Sequence, residues 1–424
     1  MPPAHTPPLS AQQRRNYRAL VAASALSNLA DGLLIVALPW LASELTRDPV
    51  LIALVTAATR LPWLLLTLPA GLMSDRMARV PLLRWADRAR ALLAAVLAVA
   101  VFGFEATVPA SVITAIAVVS VLAFTLGAAE VVRDNTAQTV LPDLVPGAAL
   151  EQANGRLWSV ETACNQLLAP PLAGMLIAVA LVAPFVVSAL GYALASVVLA
   201  AIQVDAHRPD VRSGWRAAFL AGWHWLRGHG ELMRLALLLG MINFSSTVVL
   251  TLMVLYSREL LLLGPTGYGL LLGVAAVGGV AGGVLSPHIV ARIGALPSVW
   301  LAFTLFACMP IALSVNRSVV GAAACLFVDL FAAMLWNVVT VSWRQRSIPT
   351  DLLGRVNSLY RCAGWGFMAL GAVFGGALMA ALEPHWGRES ALRAPYLLVG
   401  LLNVALMVWA RRWLRLRPPP TASG

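Results

Sequence analysis

The sequence predicts an all-α polytopic membrane protein in which twelve transmembrane helices form two pseudo-symmetric six-helix bundles. Its 424 residues are 60% hydrophobic and only 12% charged, and the mean hydropathy is +0.81. Soluble domains contain about twice that share of charged residues. A helix needs about 20 apolar residues to cross a hydrocarbon core of about 30 Å, and the chain contains twelve runs of this kind.

The twelve apolar runs follow one another along the chain with short polar connections. Glycine and proline occur within several runs, and membrane helices tolerate both. The predicted spans are residues 18–45, 50–73, 81–104, 108–132, 152–180, 182–204, 234–258, 265–292, 296–314, 318–343, 355–382 and 392–413.

The distribution of arginine predicts the topology. All 30 basic residues are arginine, and with a cytoplasmic N-terminus 24 of them fall in cytoplasmic segments. This is the positive-inside pattern, so we expect both termini in the cytoplasm and a multi-pass protein of the bacterial inner membrane. The net charge of +11 then indicates membrane lipids as partners and not nucleic acid. Arg60 lies inside the second span, and the arginines predicted on the opposite side are Arg47, Arg258, Arg317, Arg388 and Arg393.

The longest polar connection divides the chain into two halves. We expect tails at 1–17 and 414–424, an N-terminal bundle at 18–204, a cytoplasmic linker at 205–233 and a C-terminal bundle at 234–413. Apolar residues in the linker recur at helical spacing opposite basic ones, which predicts a short helix on the membrane surface.

Short stretches of the first half recur in the second. G-L-M-S-D-R-M-A-R from Gly71 corresponds to G-V-L-S-P-H-I-V-A-R from Gly283, and L-P-D-L-V after the fourth span corresponds to I-P-T-D-L-L after the tenth. A duplicated six-helix unit is the simplest explanation.

Cysteine and histidine give no sign of a metal or redox site. The four cysteines lie within apolar spans without a C-x-x-C pair, and the six histidines show no metal-type spacing. We therefore expect no metal and no cofactor. The chain also lacks a phosphate-binding loop or nucleophile motif, so we expect no enzymatic activity.

Two motifs resemble the major facilitator superfamily. Gly71, Asp75, Arg76 and Arg79 match the family's loop between the second and third helices, and the A-P-P-L-A-G stretch from Ala169 is similar to its antiporter motif in the fifth helix. The resemblance covers nearly the whole chain and is narrower to the bacterial efflux branch that includes the enterobactin exporter. It implies two six-helix bundles around a cavity that opens alternately to each side.

The resemblance also implies a function. Members of this branch export drugs, siderophores or other small amphipathic compounds, commonly driven by protons. The predicted function is proton-coupled export of a small molecule by a functional monomer, without a cofactor other than the proton gradient. The arginine that many such exporters carry in the fourth helix has no match between residues 109 and 129. This departure favours the alternative, which is uptake or proton-independent facilitated transport.

Ionisable residues inside predicted spans are candidates for the proton and substrate cavity. Each costs about 3 kcal/mol at the bilayer centre, so such residues usually face a cavity or one another. Asp31 and Arg60 lie at similar depths on adjacent helices, and an ion pair between them is the alternative to a role of Asp31 in proton coupling. The predicted cavity residues are Asp31, Arg60, Glu161, Asn165, Asp329, Trp336 and Asn337.

The charged loop after the second span predicts a cytoplasmic gate. An acid at a helix end binds the positive N-terminus of a facing helix, and Arg79 can pair with Glu130 or Asp134. The predicted gate residues are Gly71, Asp75, Arg76, Arg79, Glu130, Arg133 and Asp134. In the fifth span, Pro170, Pro171 and Gly174 predict a bend or loosening of the helix.

Overall fold

The structure is a computed structural model that describes residues 10–106, 111–203 and 215–415, and nearly all of them are helical. The helices of the first half are α1 (Ala11–Leu45), α2 (Pro49–Arg76), α3 (Arg79–Ala106), α4 (Val112–Leu144), α5 (Leu150–Val179) and α6 (Ala183–Leu199). The linker contains α7 (Trp215–Gly228), and the second half contains α8 (Gly230–Leu260), α9 (Pro265–Ile293), α10 (Ala295–Val315), α11 (Val319–Ser347), α12 (Thr350–Trp386) and α13 (Arg388–Arg411).

Ten helices among the described residues are long and apolar enough to cross a membrane, which confirms a multi-pass helical protein. The predicted third and sixth spans correspond to α3, whose first half is rich in charged residues, and to α6, which has 17 residues. The total of twelve spans and the arrangement in two six-helix bundles stay predictions.

The described residues divide into two compact units. The first unit comprises residues 10–41 and 65–203, and the second comprises residues 42–64 and 215–415. Helix α2 is therefore divided between the units: residues 49–64 belong to the second unit and residues 65–76 to the first. In the second unit, Trp63 of α2 stacks on Trp365 of α12 with 4.5 Å between the ring centroids.

Helix α4 extends well beyond the predicted fourth span. The prediction ended at residue 132, whereas the helix continues through Pro142 to Leu144. It stops within the stretch L-P-D-L-V-P, residues 141–146. The extra three turns keep Arg133 and Asp134 inside the helix, with consequences for the charged site.

Helix α5 contains a π-helical turn at Ala163–Leu168. Pro170 and Pro171 follow it and cannot donate the backbone hydrogen bonds that would continue a regular α-helix. The π turn thus lies directly before the two prolines at which the sequence predicts a bend or loosening. The widened turn packs closely against α1. A methyl group added at Gly32 would overlap the carbonyl oxygen of Asn165.

The linker helix α7 lies where the sequence predicts a surface helix. Leu226 is buried in the core of the second unit, and Trp225 packs against that core. Leu220 and Trp223 are exposed. Several predicted segments lie partly outside the described residues: 1–9 and 416–424 of the tails, 108–110 of the fourth span, 204 of the sixth span and 205–214 of the linker.

Candidate functional site: a buried charge cluster in the first unit

Six ionisable side chains from four helices meet inside the first unit. We call them the buried charge cluster: Asp31 of α1, Asp87 and Arg90 of α3, Arg133 and Asp134 of α4, and Glu161 of α5. They form a continuous chain of ion-pair contacts. Asp31 occupies one end and the carboxylates of Asp134 and Glu161 the other.

Helix α3 presents its charged members inward because of their spacing. Leu83, Asp87, Arg90, Ala94 and Leu97 recur every three or four residues, and all are buried. This interval places them on one face of an α-helix. Asp87 and Arg90 therefore lie on the stripe that packs inside the unit.

Helix α4 follows the same rule. Leu126, Ala129, Arg133 and Ala137 recur at helical spacing and are buried. Arg133 is 0% exposed, so its guanidinium must find its partners inside the protein. Asp134 follows directly but lies off this stripe, and its side chain remains 26% exposed.

The Asp31 end of the cluster is tightly bonded. The carboxylate of Asp31 contacts the guanidinium of Arg90 and accepts a hydrogen bond of 2.7 Å from the hydroxyl of Tyr192 on α6. Arg90 donates to the Ser27 hydroxyl at 2.8 Å, and its Cζ atom lies 4.1 Å from the centroid of the Tyr192 ring. Cation–π contact adds to the ion pair, so Asp31 is fixed on several sides.

The centre of the cluster is Asp87. Its Oδ1 accepts a hydrogen bond of 3.2 Å from Ser27 and lies 3.6 Å from Nη1 of Arg90 and 3.7 Å from Nε of Arg133. Its Oδ2 is buried and has no hydrogen-bond partner among the described residues. A buried acceptor left in this state costs about 1–3 kcal/mol, so the centre of the cluster is only partly satisfied.

The far end of the cluster is loosely bonded. Nη1 of Arg133 lies 3.5 Å from Oδ1 of Asp134 and 3.9 Å from Oε1 of Glu161, and Nη2 donates to Ser24 at 2.9 Å. The two carboxylates share one guanidinium nitrogen without a hydrogen bond to it. Glu161 is 23% exposed, so this end of the cluster is accessible to solvent.

Negative charge exceeds positive charge in the cluster. Four carboxylates contact two guanidiniums, which leaves two negative charges uncompensated if every group is ionised. Unpaired charge is costly away from water. A proton on the accessible carboxylates would reduce that cost, so the chemistry that the geometry supports is reversible proton binding.

A groove lies between α1 and α5, two helices that also carry members of the cluster. It has a volume of about 700 Å³. Tyr17, Arg18 and Ala22 line one wall, and Gln152, Arg156 and Ser159 line the other. The groove thus shares both of its helices with the cluster, although the six cluster residues are not among those that line it.

The structure gives Asp31 an ion-pair partner other than Arg60. A pair with Arg60 was the alternative to a role of Asp31 in proton coupling, but the ion pair forms with Arg90. The guanidinium carbon of Arg60 instead lies 5.8 Å from the centroid of the Trp365 ring, within the second unit. The physical reason is the inward face of α3, which brings a buried arginine directly to the carboxylate.

The predicted gate residues separate into two groups. Arg79 pairs with Asp143 at 2.7 Å and not with Glu130 or Asp134, because α4 extends far enough to bring Asp143 to the start of α3. Arg133 and Asp134 belong to the buried cluster. Glu130 precedes them on α4 and is close enough to Tyr192 to interact with it electrostatically.

The other gate residues are less informative. Gly71 has open space around its Cα, since an added methyl group would meet no atom within 4 Å. Arg76 is exposed at the end of α2. The side chain of Asp75 lies outside the described residues, so the predicted latch at this position stays a prediction.

The predicted cavity residues of the second unit are dispersed. Trp336 is 2% exposed in the hydrophobic core and contacts Phe303 edge-on, with 5.1 Å between the centroids. Its side chain thus packs within the hydrophobic core of the second unit. Asn337 is exposed. Asp329 is half-buried and makes no hydrogen bond or ion pair within the described residues.

The predicted residues of α5 lie on both sides of the π turn. Glu161 precedes it and joins the cluster, Asn165 lies within it, and Pro170 and Gly174 are buried beyond it. Pro171 is half-buried. The fifth helix therefore links the charge cluster to the close contact between Gly32 and the π turn.

Sequence reasoning missed Asp87, Arg90 and Tyr192. Asp87 and Arg90 both fall within the predicted third span, 81–104, but in its charged first part, where W-A-D-R-A-R resembles a loop. Their i, i+3 spacing in register with Leu83 and Ala94 was the available signal. Tyr192 lies in an apolar helix and gave no signal.

Comparisons with known proteins agree with this architecture. A family model of the major facilitator superfamily, described as "Transmembrane secretion effector", matches residues 6–412. The enterobactin exporter EntS of Escherichia coli O6:K15:H31 (strain 536 / UPEC) is 26% identical over 291 residues, which are 67% of each chain. EntS of Shigella boydii serotype 18 is 26% identical over 290 residues, 66% of this chain and 67% of the relative.

Solved structures show the same fold at low sequence identity. The nucleoside transporter NupG (D323A mutant) has a TM-score of 0.76 at 9% identity and covers 94% of this chain and 100% of its own. A bacterial homologue of the lysosomal transporter Spinster, inward-facing and unoccupied, has a TM-score of 0.72 at 15% identity, with 98% and 100% covered. These proteins are transporters and not enzymes. The chain belongs to the major facilitator superfamily of transporters, in the family described as transmembrane secretion effector.

Proposed function

We propose that this protein is a proton-coupled exporter of small amphipathic molecules that works by alternating access. The observation that carries the proposal is the surplus of carboxylates in the buried charge cluster, on helices of which two also form a groove of substrate size. The 26% identity to an enterobactin exporter supports the direction of transport. The buried carboxylates support proton coupling, because a proton can neutralise their charge.

We assign the transported proton to Glu161, with Asp134 as its neighbour. Both carboxylates contact the same guanidinium nitrogen of Arg133 at 3.5 and 3.9 Å. Two like charges that share one cation repel each other, and a proton on one of them removes the repulsion. Glu161 is the more suitable of the two because it lies on α5, the helix that also forms one wall of the groove. Closing the groove would hold the proton, and opening it to water would release the proton.

The proposal gives Asp31 a different role from the one the sequence favoured. Its carboxylate is held by Arg90 and Tyr192 and lies at the inner end of the cluster. Asp31 then positions Arg90, while Glu161 exchanges the proton. Arg133 links the two ends, and it supplies a buried arginine in the fourth helix that the shorter predicted span excluded.

Transport in proteoliposomes with an imposed pH gradient tests the function. We expect wild type to move fluorescent amphipathic compounds and siderophore-like compounds only when the gradient is present. Glu161→Gln should abolish the dependence on the gradient, whereas Glu151→Gln should leave it unchanged. Glu151 is the matched control because it lies on the same helix and is exposed. Transport by wild type at equal rates with and without a gradient would favour facilitated transport instead.

We also propose that both termini are cytoplasmic in a bacterial inner membrane and that the monomer is the functional unit. The arginine distribution supports this orientation, because it places 24 of the 30 arginines in cytoplasmic segments. A fluorescent protein fused to the C-terminus should fluoresce only if that end is cytoplasmic.

A further inference from the structure

The groove between α1 and α5 has the charge of an anion-binding site. Arg18 and Arg156 line it from opposite walls, and neither forms an ion pair in the part of the chain that the structure describes. All ten residues that line the groove are basic, polar or apolar, and none is acidic. Two guanidiniums without a carboxylate partner attract an anionic group placed between them.

The start of α5 adds to this positive potential. Gln152 lies in the first turn of α5, which begins at Leu150. Backbone N–H groups at a helix N-terminus carry a partial positive charge, which the carboxylate of Glu151 in the same turn partly offsets. The polar side chains of Gln152 and Ser159 offer further donors on the same wall, so the charged end of a ligand has several contacts on α5.

The remaining residues that line the groove have small or apolar side chains. Val21, Ala22 and Ala25 line the α1 wall, and Gly155 and Val160 line the α5 wall. The Tyr17 ring is held in place because its hydroxyl donates to the carbonyl of Ala153 at 3.2 Å. A space of about 700 Å³ lies in the range of small-molecule sites. It leaves room for an apolar body next to the charged group.

We propose that this groove binds an organic anion with an aromatic or aliphatic body, and that Arg18 and Arg156 select the negative charge. The inference rests on the proposed function, because it makes this anion the class of substrate that the exporter takes up. The anionic group lies between the two guanidiniums. The apolar body lies along Ala22 and Ala25, and the site shares α5 with the carboxylate that exchanges the proton.

A pair of dyes with the same ring system and opposite charge tests the proposal. Fluorescein is an anion and rhodamine 123 is a cation, and binding of each is followed by fluorescence polarisation on full-length protein in phosphatidylcholine nanodiscs. We expect wild type to prefer fluorescein. Each of Arg18→Gln and Arg156→Gln should weaken fluorescein binding about tenfold, the effect of one lost charge-assisted contact, with rhodamine 123 binding unchanged.

Further variants separate charge from folding. The double Arg18→Lys, Arg156→Lys variant keeps the charge and should retain most of the fluorescein binding. Arg317→Gln is the matched control, because Arg317 is exposed in the second unit and lacks an ion pair within the described residues. Unchanged fluorescein binding in both glutamine variants would overturn the proposal, as would equal binding of the two dyes by wild type.

Two more outcomes keep this inference distinct from the proposed function. Gradient-driven transport of rhodamine 123 without any fluorescein binding would support proton-coupled export and overturn the anion site. Arginine-dependent fluorescein binding without gradient-driven transport of any compound would support the anion site and overturn its role in substrate uptake. If phosphatidylglycerol added to the nanodiscs displaces the bound fluorescein, the groove is a lipid headgroup site and the proposal fails.

Discussion

The interiors of the two units differ in their content of charged side chains. The first unit buries Asp31, Asp87, Arg90 and Arg133, all at most 6% exposed. The core of the second unit is built from apolar and aromatic side chains such as Trp336. Asp329, the acidic residue of this unit that the sequence singled out, makes no ion pair within the described residues.

This difference shows where protonation can be coupled to structure. An isolated carboxyl group can gain or lose a proton with little effect on its neighbours. In the first unit, a change at Glu161 alters the attraction on Arg133, and Arg133 in turn contacts Asp87. The cluster thus connects an accessible carboxylate to buried contacts on α1, α3 and α6. We expect titration to change the structure of the first unit more than that of the second.

The largest expected effect is that of Arg133→Gln. The substitution removes the shared partner of Asp87, Asp134 and Glu161, and breaking a buried ion pair costs about 3–5 kcal/mol. We expect a much lower apparent melting temperature of the purified protein in detergent. Adding Asp87→Asn to this variant should recover part of the loss, because it removes the carboxylate left buried. A double variant less stable than Arg133→Gln would contradict the cluster.

Tyr192→Phe should have an intermediate effect. It removes the hydroxyl that donates to Asp31 at 2.7 Å and keeps the ring that contacts Arg90. A hydrogen bond to a charged group contributes about 1.5–3 kcal/mol. We expect a clear decrease in melting temperature, smaller than that of Arg133→Gln. Asp31→Asn should make the further effect of Tyr192→Phe smaller, and equal effects in both backgrounds would show that the bond contributes nothing.

Trp336→Phe should have a smaller effect in the second unit. The ring packs edge-on against Phe303, and the buried Nε1 has no hydrogen-bond partner among the described residues. Phenylalanine keeps the aromatic contact and removes an unsatisfied donor, so the cost should stay below about 1.5 kcal/mol. A decrease in melting temperature as large as that of Tyr192→Phe would mean that the indole makes a contact this account omits.

Asp329→Asn should have the smallest effect on stability. A charge inside a membrane span costs about 3 kcal/mol, and Asp329 has no ion-pair partner within the described residues to offset it. We expect an unchanged or higher melting temperature. A loss comparable to that of Arg133→Gln would remove the distinction between the two units, because it would reveal a second charge network.

The sequence predicted the class of fold well and the charged site in part. Apolar runs and arginine positions indicate membrane helices without knowledge of any contact. They identified Asp31, Arg133, Asp134 and Glu161 as unusual, but assigned Arg133 and Asp134 to a gate and the others to a cavity. The continuation of α4 past residue 132 and the inward face of α3, which carries Asp87 and Arg90, bring all four into one cluster.

Partners could not be predicted because they depend on which face of each helix turns inward. Arg88 and Arg90 are two residues apart, yet Arg88 is exposed and Arg90 is 1% exposed. A count of charges treats both as parts of a basic flank. The periodicity of buried residues in α3 distinguishes them, and it also explains why Asp31 pairs with Arg90 and not with Arg60.

The most direct test of the account is infrared difference spectroscopy of the purified protein during a change of pH. The account predicts a carboxyl C=O band in wild type that reports a protonated acid, absent in Glu161→Gln and retained in Glu151→Gln. If the band persists unchanged in Glu161→Gln, the proton resides elsewhere and the assignment of coupling to the buried charge cluster is contradicted.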